Sequence, residues 1–314
     1  MQGTHYLRSE LGFSLTQKRK VTVSVVICTR FRPAALRECL CAIAALGRRP
    51  DELIVVDNSV GDKGTEELAL EFSAAYIIEP GAGLSRARNR GLAESKSQIV
   101  AYLDDDALPE EHWLEKIVEP FNDARVAVVT GAAIAPDSGG HSVKLTRPFV
   151  LDKTVSRWFE IAAFGGLGIG TNMALRKSAC TLPGFFDERL GRGAPFHAME
   201  EHHAFVKLLS QGNSAVYFPA AVVYHVSQNP MNIEREARCQ FAYSMLLFSE
   251  FSERRADLLR FLYQRFRRRP LTWLRDAPDP GEIVSSSWRV LLTASLSGSL
   301  LYLKTRNLKT RNSK

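Results

Sequence analysis

Five short apolar runs alternate with four stretches of helical periodicity between residues 21 and 134 of this 314-residue chain. That alternation restricts the fold more than any other feature. Val21–Cys28 is β-branched and apolar and reads as a buried strand. Pro33 suits a first helical turn, and Leu36, Leu40, Ile43 and Leu46 follow at helical spacing. Leu53–Val56, Tyr76–Ile78, Ile99–Leu103 and Val126–Ile134 give four more strands. Thr65–Ser73, a loop leading into a helix at Gly83–Ala93, and Glu110–Phe121 supply the other helices. This order predicts an α/β fold, a mainly parallel sheet flanked by helices.

Past Gly139 the pattern is less regular. Trp158–Phe164 and Glu200–Gln211 read as helices, the second capped by Gly212. Between them lie a glycine-rich run, Gly165–Gly170, and a short element at Leu175–Cys180. Val216–Val226 is a last apolar stretch, expected to break at Pro219. Beyond Gln228, Ile233–Leu274 is helical in pattern and basic, with Arg265, Arg267, Arg268 and Arg269, and Pro278–Gly281 marks a turn. The expected organisation is an N-terminal extension (1–20), a domain (21–228) with halves at 21–135 and 136–228, and a basic helical region (229–314).

Apolar residues make up 45% and charged residues 24%, as in a globular protein. The net charge of +7 favours anionic partners. The five cysteines are odd in number and contain no CxxC pair, so neither a disulfide framework nor a zinc site is indicated, and a reducing cytoplasm fits. Met1–Lys20 has no apolar core of signal-peptide length. Val290–Leu303 is too short for a membrane span; it fits either a helix lying on a membrane surface or one packed on the domain.

In open parallel sheets, ligands bind beyond the carboxyl ends of the strands. Thr29-Arg30, Asp57-Asn58 and Asp104-Asp105-Asp106 all stand at such ends. Three carboxylates at the exit of a buried strand call for a compensating cation. Mg²⁺ and Mn²⁺ prefer oxygen ligands and commonly use one or two carboxylates together with substrate phosphates. An acidic turn ahead of a helix at Pro109 is the plainer alternative.

The motifs VSVVICTR (23–30), ELIVVDNS (52–59), GLSRARNRG (83–91) and YLDDD (102–106) follow one another in order. GTNMA (170–174), GFFDE (184–188), Glu200-Glu201 and Tyr224-His225 come after them. Together, over roughly residues 21–228, they resemble family 2 glycosyltransferases of the GT-A fold. The resemblance implies an inverting, metal-dependent transferase. It would move a sugar from a nucleoside-diphosphate donor to a hydroxyl of a glycan or lipid-linked acceptor.

By that resemblance Thr29 and Arg30 contact the nucleoside. Asp57 hydrogen-bonds the base, which would favour UDP- or dTDP-sugars. Arg86, Arg88 and Asn89 lie where a helix start and guanidinium groups suit phosphate, Arg86 being the stronger choice. Asp104 reaches the ribose or metal beside Asp105. Asp106 ligates Mn²⁺ or Mg²⁺ against the diphosphate, with His225 completing the site or serving only the structure. Glu201 takes the place of the family's aspartate base, one methylene longer, with Glu200 as its substitute. His202 and His203 stand where the family continues with acids; they could tune the pair, but a place as partly exposed helix residues is the favoured reading. Gly170, Thr171 and Asn172 form the floor of the acceptor site. Trp158 could stack on a sugar, although core is the favoured reading.

Three other readings compete. A sugar-nucleotide or glycan-binding module with weak catalysis is motivated by the Glu-Glu pair. A nucleotidyltransferase expects a glycine-rich loop after the first strand, and residues 28–33 contain no glycine. Nucleic acid would match the charge but leaves the acidic cluster unexplained, so no nucleic-acid partner is expected. The basic end of the chain instead suggests peripheral contact with an anionic membrane, on the inner face of the plasma membrane.

Overall fold

A computed structural model describes residues 21–135, 146–225, 233–268 and 287–305. Expectations for Met1–Lys20, Arg269, Pro278–Gly281 and 306–314 fall outside the described residues, as do those for the side chains of Arg265, Arg267 and Arg268.

The first half follows the expected alternation: β1 (Val23–Thr29), α1 (Pro33–Ala44), β2 (Glu52–Asp57), α2 (Lys63–Glu71), β3 (Ala75–Ile78), α3 (Leu84–Glu94) and β4 (Ile99–Asp104). These four strands pair in parallel. Pro33 begins α1, where its missing N–H is no loss, and Asp62 caps α2 by accepting from Thr65 N–H.

A three-residue strand, β5 (Ala107–Pro109), follows the acidic triplet directly. The helix expected from Glu110 starts later, as α4 (Trp113–Val118), and ends in a 3-10 turn, Glu119–Asn122. Then come β6 (Val126–Ile134), β7 (Phe149–Leu151), α5 (Trp158–Ala163), β8 (Asn172–Arg176), α6 (Glu200–Ser210) and β9 (Ser214–His225). The C-terminal region is helical: α7 (Ile233–Glu250), α8 (Arg255–Arg268) and α9 (Ser287–Thr305).

The nine strands of the described residues form one sheet in the order β3-β2-β1-β4-β8-β6-β9-β5, with β7 also on β9. It is mainly parallel only in its first half. β8 runs antiparallel to both β4 and β6, and β5 and β7 run antiparallel to β9. The slot between β4 and β6 is filled by the fully buried Met173, Ala174 and Leu175. Nothing in so short an apolar run states its direction. β9 does not break at Pro219 but continues through it, and a register shift against β6 between Thr130 and Ala132 absorbs the proline.

Strand residues alternate between two cores. Val26, Ile54, Val56, Val100 and Tyr102 face a cluster with Ala87, Phe159, Phe205 and Leu246. Val25, Ile27, Val55, Ala101 and Leu103 face Leu36, Leu40, Ile43 and Trp113. Trp158 belongs to the first cluster, in agreement with a core role. Gly298 brings α9 onto α7, where a Cβ would stand 2.7 Å from the Arg238 carbonyl oxygen.

Candidate functional site

The period-two pleat of β4 continues into the acids that follow it. Tyr102 faces the α3 side, and so does Asp104; Leu103 faces the α1 side, and so does Asp105. Asp104 Oδ1 lies 3.4 Å from an Arg88 guanidinium nitrogen, and the Thr171 hydroxyl donates to Asp104 Oδ2. Asp105 accepts from Thr29 Oγ1 at 2.7 Å and from Arg32 at 2.6 Å. The second arm of Arg32 reaches Asp106 at 2.7 Å. Phe31, between the two arginines at the end of β1, adopts a left-handed φ of 55°, a strained conformation for a bulky residue.

His225 arrives by tertiary pairing. β5 pairs with the end of β9 in a register that sets Ala107 opposite His225. The His225 imidazole thereby stands 3.0 Å from Asp106 and 3.8 Å from Asp104. Asp104, Asp106 and His225 each offer a ligand atom within 4.8 Å of the others. Buried Asp106 Oδ1 and His225 Nε2 have no well-formed hydrogen bond among the described residues. Two carboxylates and an imidazole whose atoms converge, with Asp106 Oδ1 and His225 Nε2 facing only each other at 3.0 Å, suit Mn²⁺ or Mg²⁺.

The charges in the cluster have readable causes. Burial would raise Asp106, but His225 and Arg32 hold it well below the usual carboxylate range. Burial pushes Asp105 up to about 6, against the pull of Thr29 and Arg32. The Asp106 carboxylate raises His225, against burial.

α6 opens with the acid pair. Met199, immediately before it, has a φ of 76°, and this left-handed residue aims the first turn at α3. Glu200 accepts from Arg88 at 2.9 Å, and the Gly170 N–H donates to Glu201 at 3.3 Å. A Cβ on Gly170 would fall 2.8 Å from the Arg88 guanidinium, so only glycine lets this loop lie against it. Arg88, only 3% exposed, therefore joins the Asp104 cluster to the acid pair, with Gly170 and Thr171 bridging alongside.

Burial and the charge of Glu201 push Glu200 up to about 7, against Arg88. Burial would raise Glu201 also, but His202 and Arg88 lower it. Native Glu200 thus keeps a proton that an unfolded glutamate gives up near its ordinary value. Folding stability from this group falls as pH rises from that value to about 7. Glu200→Gln is expected to flatten that fall, as read from denaturant midpoints across the window; an unchanged slope would refute the assignment.

A cleft of about 210 Å³ at the strand ends is lined by Thr29, Arg30, Arg32, Asn58, Asp104, Asp105 and Arg192, among others. Several expected site residues are placed differently. Asp57 is fully buried; its Oδ2 accepts from the Asp62 N–H and the Tyr76 hydroxyl, both at 2.8 Å, which closes the β2–α2 loop. Asn89 makes two hydrogen bonds with the Phe186 backbone and holds that segment. Asn172 is a buried strut: it accepts from Trp113 Nε1 and donates to the carbonyls of Ala132 and Ala221. Arg86 pairs with Glu188 at 2.8 Å. Of the two arginines, Arg88 is the one that meets the acids of the site. Sequence reasoning missed Arg32 and Arg192. Arg32 could have been found, since it lies three residues beyond the end of β1; Arg192 stands in a loop with no local signal.

His202 and His203 are not partly exposed as expected but buried, because α6 lies between the sheet core and α7, and His203 contacts Glu250 of α7 at 2.9 Å. Asp187 and Glu250 share Arg189, which fixes α7 against the segment ahead of α6. A guanidinium already neutralises that cluster.

Residues 24–181 match the model of glycosyl transferase family 2, half of the chain. Glycosyltransferase AglE of Haloferax volcanii is 35% identical over 117 residues, 35% of this chain and 38% of that protein. The probable glycosyltransferase YdaM of Bacillus subtilis is 26% identical over 269 residues, 77% of this chain and 60% of its own length. The chain thus spans less than two thirds of either relative. Among solved structures, the mannosyltransferase PcManGT of Pyrobaculum calidifontis, in complex with GDP-Man and Mn²⁺, superposes with a TM-score of 0.53 at 15% identity, covering 95% of this chain and 77% of that one. At that identity the likeness concerns the GT-A fold alone. The matched residues include the strand ends that carry the acidic triplet and Arg88, and the chain belongs to glycosyl transferase family 2.

Proposed function

We propose that this protein is a metal-dependent, inverting glycosyltransferase that uses a nucleoside-diphosphate sugar and glycosylates a hydroxyl of a glycan or lipid-linked acceptor. The observation that carries this reading is Arg88, which holds the Asp104 cluster and the Glu200–Glu201 pair on one support. The diphosphate departs from the same carbon that the deprotonated hydroxyl attacks, so the machinery for leaving group and base must adjoin.

Asp104, Asp106 and His225 would hold Mn²⁺ or Mg²⁺. When bound, the cation supplies Lewis-acid neutralisation of charge on the departing diphosphate. Mn²⁺ in the complex of the structural neighbour supports this choice. Arg30 and Arg192 line the cleft and suit the phosphates; Thr29 and Asn58 suit the nucleoside side. Glu201 is the base. Its carboxylate takes the acceptor hydroxyl proton as the oxygen bonds to the anomeric carbon. The carbon–oxygen bond to the diphosphate breaks, and the electron pair leaves with the nucleotide. The donor is assigned by class only: Asp57, which would choose uracil or thymine, is fully buried, with Oδ1 left without a hydrogen-bond partner among the described residues. The five free cysteines support a reducing, cytoplasmic setting.

The test is nucleotide release from UDP-, dTDP- and GDP-sugars with Mn²⁺ or Mg²⁺. Glu201→Gln is expected to lower turnover by roughly 10²–10⁴-fold, the usual contribution of a general base, with donor affinity retained. Equal turnover in that variant would remove Glu201 as base. Tight donor binding without transfer to any acceptor would favour the binding-module alternative.

A further inference from the structure

The last described helix, α9, presents two apolar faces. Gly298, Leu301, Tyr302 and Thr305 face inward: Leu301 and Tyr302 pack on the core, Thr305 is buried, and Gly298 lies against α7. Leu296, Leu300 and Leu303 are 67%, 57% and 48% exposed. Their i, i+4, i+7 spacing puts them on one stripe, on the side of the helix away from Gly298. A stripe of leucines left in water marks a surface that something covers.

The charge of the sequence that carries the stripe selects the cover. Residues 287–314 contain Arg289, Lys304, Arg306, Lys309, Arg311 and Lys314 and no acidic residue. The whole positive excess of the chain lies in this part: residues 229–314 carry sixteen basic and eight acidic side chains, against twenty-five and twenty-six in residues 1–228. A second copy of the chain would bring the same charge to the contact and be repelled. Nucleic acid would satisfy the charge and leave the leucines in water. An anionic bilayer satisfies both, because acyl chains take up leucine and lipid phosphates attract lysine and arginine. No described helix is long and apolar enough to cross a membrane, so the contact is a surface one.

We propose that α9 seats the protein on an anionic lipid surface, with Leu296, Leu300 and Leu303 entering the headgroup–acyl boundary and the exposed Lys304 meeting lipid phosphates. This contact does not depend on the catalytic reading. Flotation of the full chain with phosphatidylcholine vesicles, with and without phosphatidylglycerol, tests it. Binding is expected only with phosphatidylglycerol, and it should weaken as salt is raised. The triple variant Leu296→Ser/Leu300→Ser/Leu303→Ser should bind about a hundredfold more weakly, the order expected for three partly inserted leucines. Its melting temperature should match that of the parent, because these side chains make no core contact. The single variant Leu300→Asp provides a second arm should the triple fail to fold. Equal binding to both vesicle types, or undiminished binding of both variants, would overturn the proposal. So would sedimentation showing a dimer that Leu300→Asp converts to monomer, which would give the stripe to a second copy.

Discussion

Arg88→Met is expected to destabilise the protein by about 3–5 kcal/mol, the range for breaking a buried ion pair by removing one partner. Methionine keeps much of the volume and the contact with the Tyr102 and Phe186 rings, which lie 6.0 and 5.8 Å from the guanidinium. It removes the only cation hydrogen-bonded to Glu200 among the described residues. The loss should be larger at alkaline than at acidic pH, because a buried glutamate without its partner escapes the penalty by keeping its proton. Glu200→Gln in the same chain should recover part of it, since the double variant leaves no unpaired buried carboxylate at that position. Arg88→Lys should not rescue fully, because one ammonium cannot span two acids as a guanidinium fork does. Urea unfolding of the four proteins measures all of this. A loss below about 1 kcal/mol, the level of an exposed pair, would mean that Arg88 is not the joint described here.

Asp106→Ala is expected to lower metal-dependent nucleotide release by about a thousandfold, the equivalent of the several kcal/mol that a bound cation contributes to charge stabilisation. The variant should also bind Mn²⁺ more weakly in a direct titration, which separates loss of the ion from loss of the fold. Arg32 keeps its contact with Asp105, so the β1 end stays anchored. Asp105→Asn serves as the contrast. Its carboxylate is occupied by Thr29 and Arg32 and stands outside the Asp104–Asp106–His225 group, so manganese affinity should change little. Equal manganese affinity in the Asp106→Ala protein and its parent would place the ion elsewhere.

Both expectations concern residues that were unevenly legible in the sequence. The acids were visible because three consecutive carboxylates after an apolar strand break the ordinary pattern. Arg86 was preferred to Arg88 for phosphate, though no local pattern decides between them. Both occupy α3, two residues apart, and helical spacing says only that they face different ways. Which one faces the sheet depends on where α3 lands, and Gly91 fixes that: a Cβ there would stand 2.4 Å from Val26, so only glycine allows so close an approach. Asn172 and Asn89 match motifs yet are consumed by the scaffold, because side-chain amides satisfy buried backbone groups that the helices and strands leave unpaired.

Hydrophobic periodicity by itself determined β1 to β4, their parallel pairing and the delivery of Thr29, Asp57 and Asp104 to one end of the sheet. These follow from local sequence, since alternation and helix period are properties of neighbouring residues. The antiparallel entry of β8, the β5–β9 pairing that carries His225 to Asp106, and the choice of Arg88 over Arg86 belong to the tertiary structure. Each joins segments far apart in the chain, where direction and register are set by which surfaces bury one another, and no local pattern encodes that.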